Sequence, residues 1–100
     1  MRILGIDPGL AIVGYSILDV EGNRMKAANY GVIETASTMD FPDRLKFLYE
    51  ELNLIIKKYK PDEVAIEELF FNKNVKTAIK VGHARGVEIL SASMNGLEIY

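Results

Sequence analysis

The sequence predicts an α/β fold with a mixed β-sheet, and three observations lead to this prediction. Three apolar, β-branched runs follow one another near the N-terminus with no helical pattern between them, which indicates an antiparallel meander. A helical pattern then precedes a fourth apolar run, and such a crossover favours parallel pairing of that run with the first strand. A second helical pattern leads to a fifth run, residues 97–100.

The first predicted strand ends in an acidic residue. An apolar run leads to Asp7, and Pro8-Gly9 then turns the chain. The second strand is expected over residues 10–19 and the third over about 24–35, with a turn between them. Aspartate is also a common first residue of a turn, so Asp7 alone has a structural and a functional interpretation.

The first helix is expected between Asp40 and Pro61. Asp40 can cap its N-terminus, Pro42 suits the first turn, and Pro61 stops it. Apolar residues recur inside it at steps of three and four, and they are Leu45, Leu48, Leu52, Ile55, Ile56 and Tyr59. This stripe predicts a core-facing surface and no further function.

The fourth strand, Val64-Ala65-Ile66, is followed by two further acids, Glu67 and Glu68. If this strand pairs in parallel with the first, Asp7 and Glu67 lie at the same edge of the sheet, where ligands of α/β sheets gather. Side chains alternate along a strand, so Glu67 and Glu68 point to opposite faces and only one can join Asp7. Alternation does not say which. A solvated glutamate at a strand end is the structural alternative.

A second helix is expected over residues 74–94. Its predicted apolar side consists of Val75, Ala78, Ile79, Gly82, Gly86, Ile89 and Leu90. Several of these residues are small, which lets another backbone approach closely. Packing on the chain's own sheet and contact with a second subunit explain this composition equally well.

Asp7 and Glu67 are hard oxygen ligands of the kind that hold Mg²⁺ or Mn²⁺ beside a substrate phosphate. Two such ions, roughly 3.5–4 Å apart, would activate a water and stabilise the leaving oxygen of a phosphodiester. Two acids sixty positions apart do not establish a metal site by spacing alone.

The stretch after the second acid has aromatic and basic residues. Phe70 and Phe71 are adjacent and cannot easily both face one core, so one of them is expected to be exposed, where it could stack on bases. Packing of both rings under a loop is the equally weighted alternative. Lys73, Lys76 and Lys80 follow at steps of three and four. They form either a solvated face or a contact to a phosphate backbone.

Composition limits the class of protein. The 100 residues are 49% hydrophobic and 26% charged, which is typical of a globular domain, and residues 1–100 are expected to belong to a single one. The absence of cysteine excludes disulfides and thiolate metal sites. The net charge of −2 argues against coating of nucleic acid through bulk charge. No apolar run is long enough for a bilayer and no leader pattern begins the chain, so a cytoplasmic protein without a membrane partner is expected.

These motifs together resemble the RuvC Holliday-junction resolvases of bacteria. The resemblance covers the whole chain in order. The matching segments are Ile3–Gly9, Gly14-Tyr15, Pro42–Leu45, Ala65–Asn74, Ala78, Gly82 and Ala84-Arg85-Gly86. The first segment alone is weak, because related folds share it, whereas its combination with Ala65–Asn74 is specific.

The resemblance implies a ribonuclease H-like fold and a homodimer that nicks four-way DNA junctions symmetrically in recombination and repair. It implies two Mg²⁺ or Mn²⁺ ions per active site in the complete protein, and a junction branch-migration helicase complex as a partner. It assigns the first two catalytic, metal-holding acids to Asp7 and Glu67, thus favouring Glu67 over Glu68. It assigns DNA stacking to Phe70. Lysines near the DNA would be Lys73, Lys76 and Lys80.

The sequence departs from the family pattern in the remaining metal ligands. The family completes its site with two aspartates on a late helix, and no such segment is present here. We therefore expect the N-terminal part of a resolvase domain, truncated at its C-terminal side and inactive by itself. The alternatives are an actin-like or sugar-kinase-type ATP-binding domain and a non-catalytic DNA-binding module. The ATP-binding alternative is weakened because no Ser or Thr follows Gly9 before Ser16.

Overall fold

The computed structural model describes residues 1–9, 11–67 and 75–100. In chain order its elements are β1 (Arg2–Asp7), β2 (Ile12–Glu21), β3 (Arg24–Glu34), α1 (Phe41–Tyr59), β4 (Glu63–Ile66), α2 (Val75–Met94) and β5 (Glu98–Ile99). Over these ranges the strands form one five-stranded sheet in the order β3-β2-β1-β4-β5. The predicted α/β class and mixed sheet are confirmed.

The pairing of the strands agrees with the meander and the crossover. β1 is antiparallel to β2, and β2 is antiparallel to β3. β4 lies on the other side of β1 in parallel, with Ile6 opposite Ile66, and β5 continues in parallel beyond β4. A register shift between Ile17 and Leu18 interrupts the β2–β3 ladder. The first strand is thus the central strand of the described sheet.

Helix α1 begins and ends where its sequence signals predict. Asp40 occupies the N-cap position, but its side chain makes no capping hydrogen bond, and its carbonyl accepts one from the Arg44 amide. Pro42 lies in the first turn. At the other end Lys60 is left-handed and its amide donates to the Ile56 carbonyl at 2.8 Å, after which Pro61 prevents continuation.

The hydrophobic core lies between one face of the sheet and the predicted stripe of α1. The sheet contributes Leu4, Ile6, Val13, Ile17, Ile33, Val64 and Ile66, and α1 contributes Leu48, Leu52, Ile55 and Ile56. The sequence did not predict that Arg44 is also buried, where its Nε donates to Thr35 Oγ1 at 3.0 Å. Since side chains alternate along strands, Gly5, Ser16 and Ala65 lie on the opposite face of the sheet.

Helix α2 does not bury the side that its sequence pattern predicts. Val75, Ile79 and Leu90 expose more than half of their surface. The buried residues of this helix are Ala84, Glu88, Ser91 and Ala92. The physical reason is close packing against α1, where Ser91 Oγ donates to Asn53 Oδ1 at 3.2 Å and Asn95 Nδ2 donates to the same oxygen at 2.7 Å. Small and polar side chains make this contact, Val87 and Ile89 pack partly against the core, and Val75, Ile79 and Leu90 face outward.

Candidate metal centre

The first acid is held at the end of β1 by its neighbours. Asp7 is the last residue of the strand and is paired with Gly14 of β2. Two residues later, a Cβ on Gly9 would overlap the carbonyl oxygen of Ile12. Only glycine fits this close approach of the backbones at Gly9 and Ile12. The pairing of β1 with β2 and this contact hold the chain on both sides of the carboxylate.

The second acid is held by the parallel pairing of β1 and β4. Ile66 is the last residue of β4, and the amide of Glu67 donates to the Ile6 carbonyl at 3.0 Å. This hydrogen bond extends the β1–β4 ladder by one residue. Ile6 and Ile66 face the core, so Asp7 and Glu67 follow on the opposite face at one edge of the sheet. The predicted juxtaposition of these two strand ends is therefore present.

The two carboxyl groups interact directly. A hydrogen bond with Asp7, together with the negative charge of Asp7, raises the pKa of Glu67 above its ordinary value. The cause of the raised pKa is that two adjacent carboxylates repel each other when both are ionised. A bound cation would remove that repulsion. Both side chains are exposed, so such a cation could reach them.

A cavity of about 540 Å³ opens beside the pair. Its lining includes Gly5, Ser16 and Ala65, which are adjacent on three neighbouring strands. A Cβ on Gly5 would lie 2.8 Å from Ser16 Oγ, closer than carbon and oxygen atoms pack without displacement. The side chains on this face of the sheet are thus small and leave the cavity open. A ligand in the cavity would have access to both acids.

The structure describes only some of the residues that were predicted to contact DNA. Phe70 and Lys73 lie outside the described residues, and Glu68 does too. Lys76 and Lys80 are exposed on the first half of α2, and Lys80 Nζ lies 5.8 Å from the centre of the Phe41 ring at the start of α1. Lys80 therefore has a cation–π partner as well as an exposed surface.

A third acid near this region is absent from the predicted set. Glu88 of α2 is completely buried, and neither carboxylate oxygen has a hydrogen-bond partner in the described part of the chain. Burial raises its pKa to about 8; the charge of Arg85 opposes this shift and the charge of Asp7 adds to it. The sequence offers one signal for it, an acid between Val87 and Ile89 on the helix.

The chemistry of the donors fits a hard divalent cation but gives an incomplete ligand set. Carboxylate oxygens suit Mg²⁺ and Mn²⁺, which keep several waters and share few protein ligands. Among the residues that the structure describes, no group of three or more acids or histidines is placed to hold a metal. Asp7 and Glu67 can therefore supply part of a site.

No helix in the described ranges is both long and apolar enough to cross a membrane.

Comparison with known proteins adds relatives along the whole chain. The family model described as crossover junction endodeoxyribonuclease RuvC matches residues 3–100. Proteins with that description from Alkaliphilus oremlandii and Finegoldia magna are 64% and 61% identical, and the chain covers 61% of each. The solved structure of T. thermophilus RuvC in complex with Holliday junction substrate is similar with a TM-score of 0.91 and 26% identity. All of this chain and 62% of that one are aligned, so the chain spans about three fifths of its relatives' length.

Proposed function

Because the chain belongs to the RuvC family of crossover junction endodeoxyribonucleases, we propose that the whole protein hydrolyses phosphodiester bonds in four-way DNA junctions. The observation that carries this proposal is the side-by-side position of Asp7 and Glu67 on parallel strands, next to an open cavity. Symmetric nicking of two strands would leave ends that can be ligated, as recombination and repair require. The comparisons favour neither the ATP-binding nor the non-catalytic alternative.

Asp7 and Glu67 are the proposed metal-holding catalytic acids. When bound, two Mg²⁺ or Mn²⁺ ions would supply an activated water and stabilise the leaving oxygen. The two side chains would orient that water against the substrate phosphate, and a bound cation would offset the repulsion between their charges. The residues described here provide two acids, so the other ligands would come from the part of the protein that its longer relatives have in addition.

The proposed DNA surface follows the second acid along the chain. Lys76 and Lys80 expose their ammonium groups on α2, where they could contact phosphates without specifying a sequence. Phe70 and Lys73 belong to the same surface in this proposal, with Phe70 stacking on a base. A net charge of −2 favours such local contacts over general attraction to DNA. The similar T. thermophilus protein has been solved with a Holliday junction substrate, which supports junction DNA as the ligand.

We propose that two copies act together. Val75, Ile79 and Leu90 on the outward side of α2 expose 67%, 56% and 52% of their surface. At about 100° per residue they lie on one side of the helix, and an exposed apolar face of this kind is typical of a contact surface. A four-way junction offers two strands of like polarity, and a twofold dimer supplies one acid pair for each.

The proposal also covers the extent of the domain, a protein partner and the cellular compartment. Residues 1–100 are the N-terminal part of a single nuclease domain that the rest of the protein completes. A branch-migration helicase complex is the proposed partner at the junction, and the cytoplasm is the proposed compartment. Both of these proposals follow from family membership.

The decisive experiment uses the intact protein and a labelled synthetic four-way junction. We expect paired nicks that require Mg²⁺, and we expect Glu67→Gln to abolish cleavage while junction binding persists. Glu63→Gln is the matched control, because Glu63 begins the same strand that Glu67 follows. If Glu67→Gln cleaves as fast as this control, the assignment of the acid is wrong. If the wild-type protein does not cut the junction, the proposed activity is wrong.

A further inference from the structure

A charged side chain lies on the buried side of α1. Arg44, Leu48 and Leu52 follow one another at steps of four residues, and Arg44 is 8% exposed while the two leucines are 3% and 0% exposed. Among the described residues no carboxylate forms an ion pair with Arg44. A buried guanidinium without a counter-charge costs free energy that an aliphatic side chain at this position would not cost. The stability of the core therefore does not explain why arginine occupies this position.

The guanidinium contacts the residue that follows β3. Arg44 Nε donates to Thr35 Oγ1 at 3.0 Å, and Arg44 Nη2 makes a longer contact of 3.5 Å with the Thr35 carbonyl oxygen. Thr35 comes directly after Glu34, the last residue of β3, and is itself buried. Because the guanidinium is planar and rigid, it fixes the direction of both contacts. α1 thus holds both the side chain and the main chain of Thr35.

Thr35 in turn holds the segment that follows the first acid. Its amide donates to the Ala11 carbonyl at 3.0 Å, which adds one hydrogen bond at the end of the β2–β3 ladder. The next carbonyl, that of Ile12, lies so close to Gly9 that a Cβ on Gly9 would overlap it. Gly9 is two residues after Asp7. Direct contacts therefore connect the buried guanidinium with the turn after the first acid.

We propose that Arg44 is a positioning residue for the Asp7–Glu67 pair: by holding Thr35 against α1, it keeps the turn after Asp7 closed and the Asp7 carboxylate in the position that a divalent cation requires. This inference rests on the cation site of the proposed function. The ends of strands open more easily than their centres, and a carboxylate at such an end binds a cation less well when its main chain moves. A hydrogen-bonded connection to a packed helix limits this movement. In this role Arg44 touches neither the cation nor the substrate.

The test measures the Mg²⁺ concentration that gives half-maximal cleavage of a four-way junction by the intact protein, at a temperature where every variant is folded. We expect Arg44→Met to require about tenfold more Mg²⁺ than wild type. Junction binding in the absence of divalent cations should be unchanged, because Arg44 is buried. A residue that served only the stability of the fold would leave the Mg²⁺ requirement of the folded protein unchanged.

Two further variants serve as control and as a test of the route. Lys46→Met removes a positive charge from the same helix, but Lys46 is exposed and pairs with Glu50, so this control should require as much Mg²⁺ as wild type. Thr35→Val removes the hydroxyl that accepts from Arg44 Nε and should raise the requirement. The double variant Arg44→Met/Thr35→Val should require no more Mg²⁺ than Arg44→Met alone, because both changes break the same connection.

The outcomes separate this inference from the proposed function. If wild type cuts junctions and Arg44→Met needs no more Mg²⁺ than wild type, the role of Arg44 alone is overturned. Additive effects of Arg44→Met and Thr35→Val overturn it as well, since the connection would then not pass through Thr35. If wild type cuts no junction with Mg²⁺, the proposed function fails and this inference fails with it. If Arg44→Met does not fold, Arg44→Lys, which keeps the charge but lacks the planar group, is measured in the same way and must also require more Mg²⁺.

Discussion

The two helices bury opposite kinds of side chain. α1 places large aliphatic residues such as Leu52 and Ile56 against the sheet, as its periodicity predicts. α2 buries Ala84, Glu88 and Ser91 and turns Ile79 outward. Apolar periodicity thus locates a helix but locates its buried face only when the opposing surface has room for large side chains. On α2 small and polar residues form most of the inner face, and the exposed Val75, Ile79 and Leu90 are available for another contact.

The largest expected effect of a substitution is in the core side of α1. Leu52→Ala should lower the free energy of unfolding by about 3–5 kcal/mol, because Leu52 is fully buried and its removal leaves a cavity. Leu54→Ala, two residues away and 62% exposed, is the control and should change it by less than about 0.5 kcal/mol. Urea unfolding of the intact protein measures both values. Similar losses for the two variants would contradict the assignment of the buried face.

The next effect is on α2 and depends on pH. The pKa of Glu88 is raised to about 8 in the folded protein from an ordinary value of 4.5. The folded state therefore holds a proton that the unfolded state loses, and stability falls as the pH rises from 4.5 to about 8. Glu88→Gln removes this dependence, so between pH 5 and pH 8 the stability of the variant relative to wild type should rise by about 2–4 kcal/mol.

Thermal or urea unfolding at both pH values measures this difference. Glu21→Gln serves as the control, since its exposed side chain leaves the pH dependence unchanged. A stability difference between wild type and Glu88→Gln that is the same at pH 5 and at pH 8 would rule out a neutral buried acid.

A smaller effect concerns the outward face of α2. Ile79→Asp should weaken the proposed dimer at least about tenfold, which corresponds to about 1.4 kcal/mol, because it places a charge in the proposed apolar contact. It should leave the folding of the protomer intact, since Ile79 is 56% exposed. Leu54→Asp on α1 has similar exposure and is the control. Sedimentation equilibrium measures both, and equal dimer affinities would place the contact elsewhere.

The smallest effect tests the polar contact between the helices. Ser91→Ala should cost about 1 kcal/mol, because Ser91 Oγ donates to Asn53 Oδ1 in a buried position. Ser93→Ala changes an exposed serine on the same helix and should be nearly neutral. A double-mutant cycle with Asn53→Ala isolates the pair energy, and a coupling of zero would mean that this hydrogen bond does not join the helices.

The sequence was sufficient for the parts of the fold that follow local rules. Strand alternation, the turn after Asp7 and the helical crossover together predicted the sheet and brought Asp7 beside Glu67. These rules depend only on neighbours in the chain and on the handedness of connections. The buried Arg44 and Glu88 could not be predicted in this way. Their burial depends on which surfaces oppose them: Arg44 has the pattern of an ordinary exposed charge on a helix, and the position of Glu88 between Val87 and Ile89 does not by itself predict burial.

The candidate site was predictable to the same extent. The strand ends determine Asp7 and Glu67, whereas the choice between Glu67 and Glu68 came from family resemblance, and the roles of Phe70 and Lys73 remain predictions. Nothing in the apolar spacing of α2 indicates that a third acid lies within the field of Asp7. An electrostatic effect of this kind depends on distances in the folded protein, which spacing along the chain does not give.

The hydrogen bond from the Glu67 amide to the Ile6 carbonyl sets the distance between the backbones of the two acids, whatever their side chains are. Neighbouring strands lie about 4.8 Å apart, and this separation persists when a carboxylate is replaced by an amide. Asp7→Asn and Glu67→Gln should therefore keep the architecture of this sheet edge while removing its charge. In the intact protein, such variants should bind the proposed junction substrate without cutting it, which suits them to crystallisation of that complex.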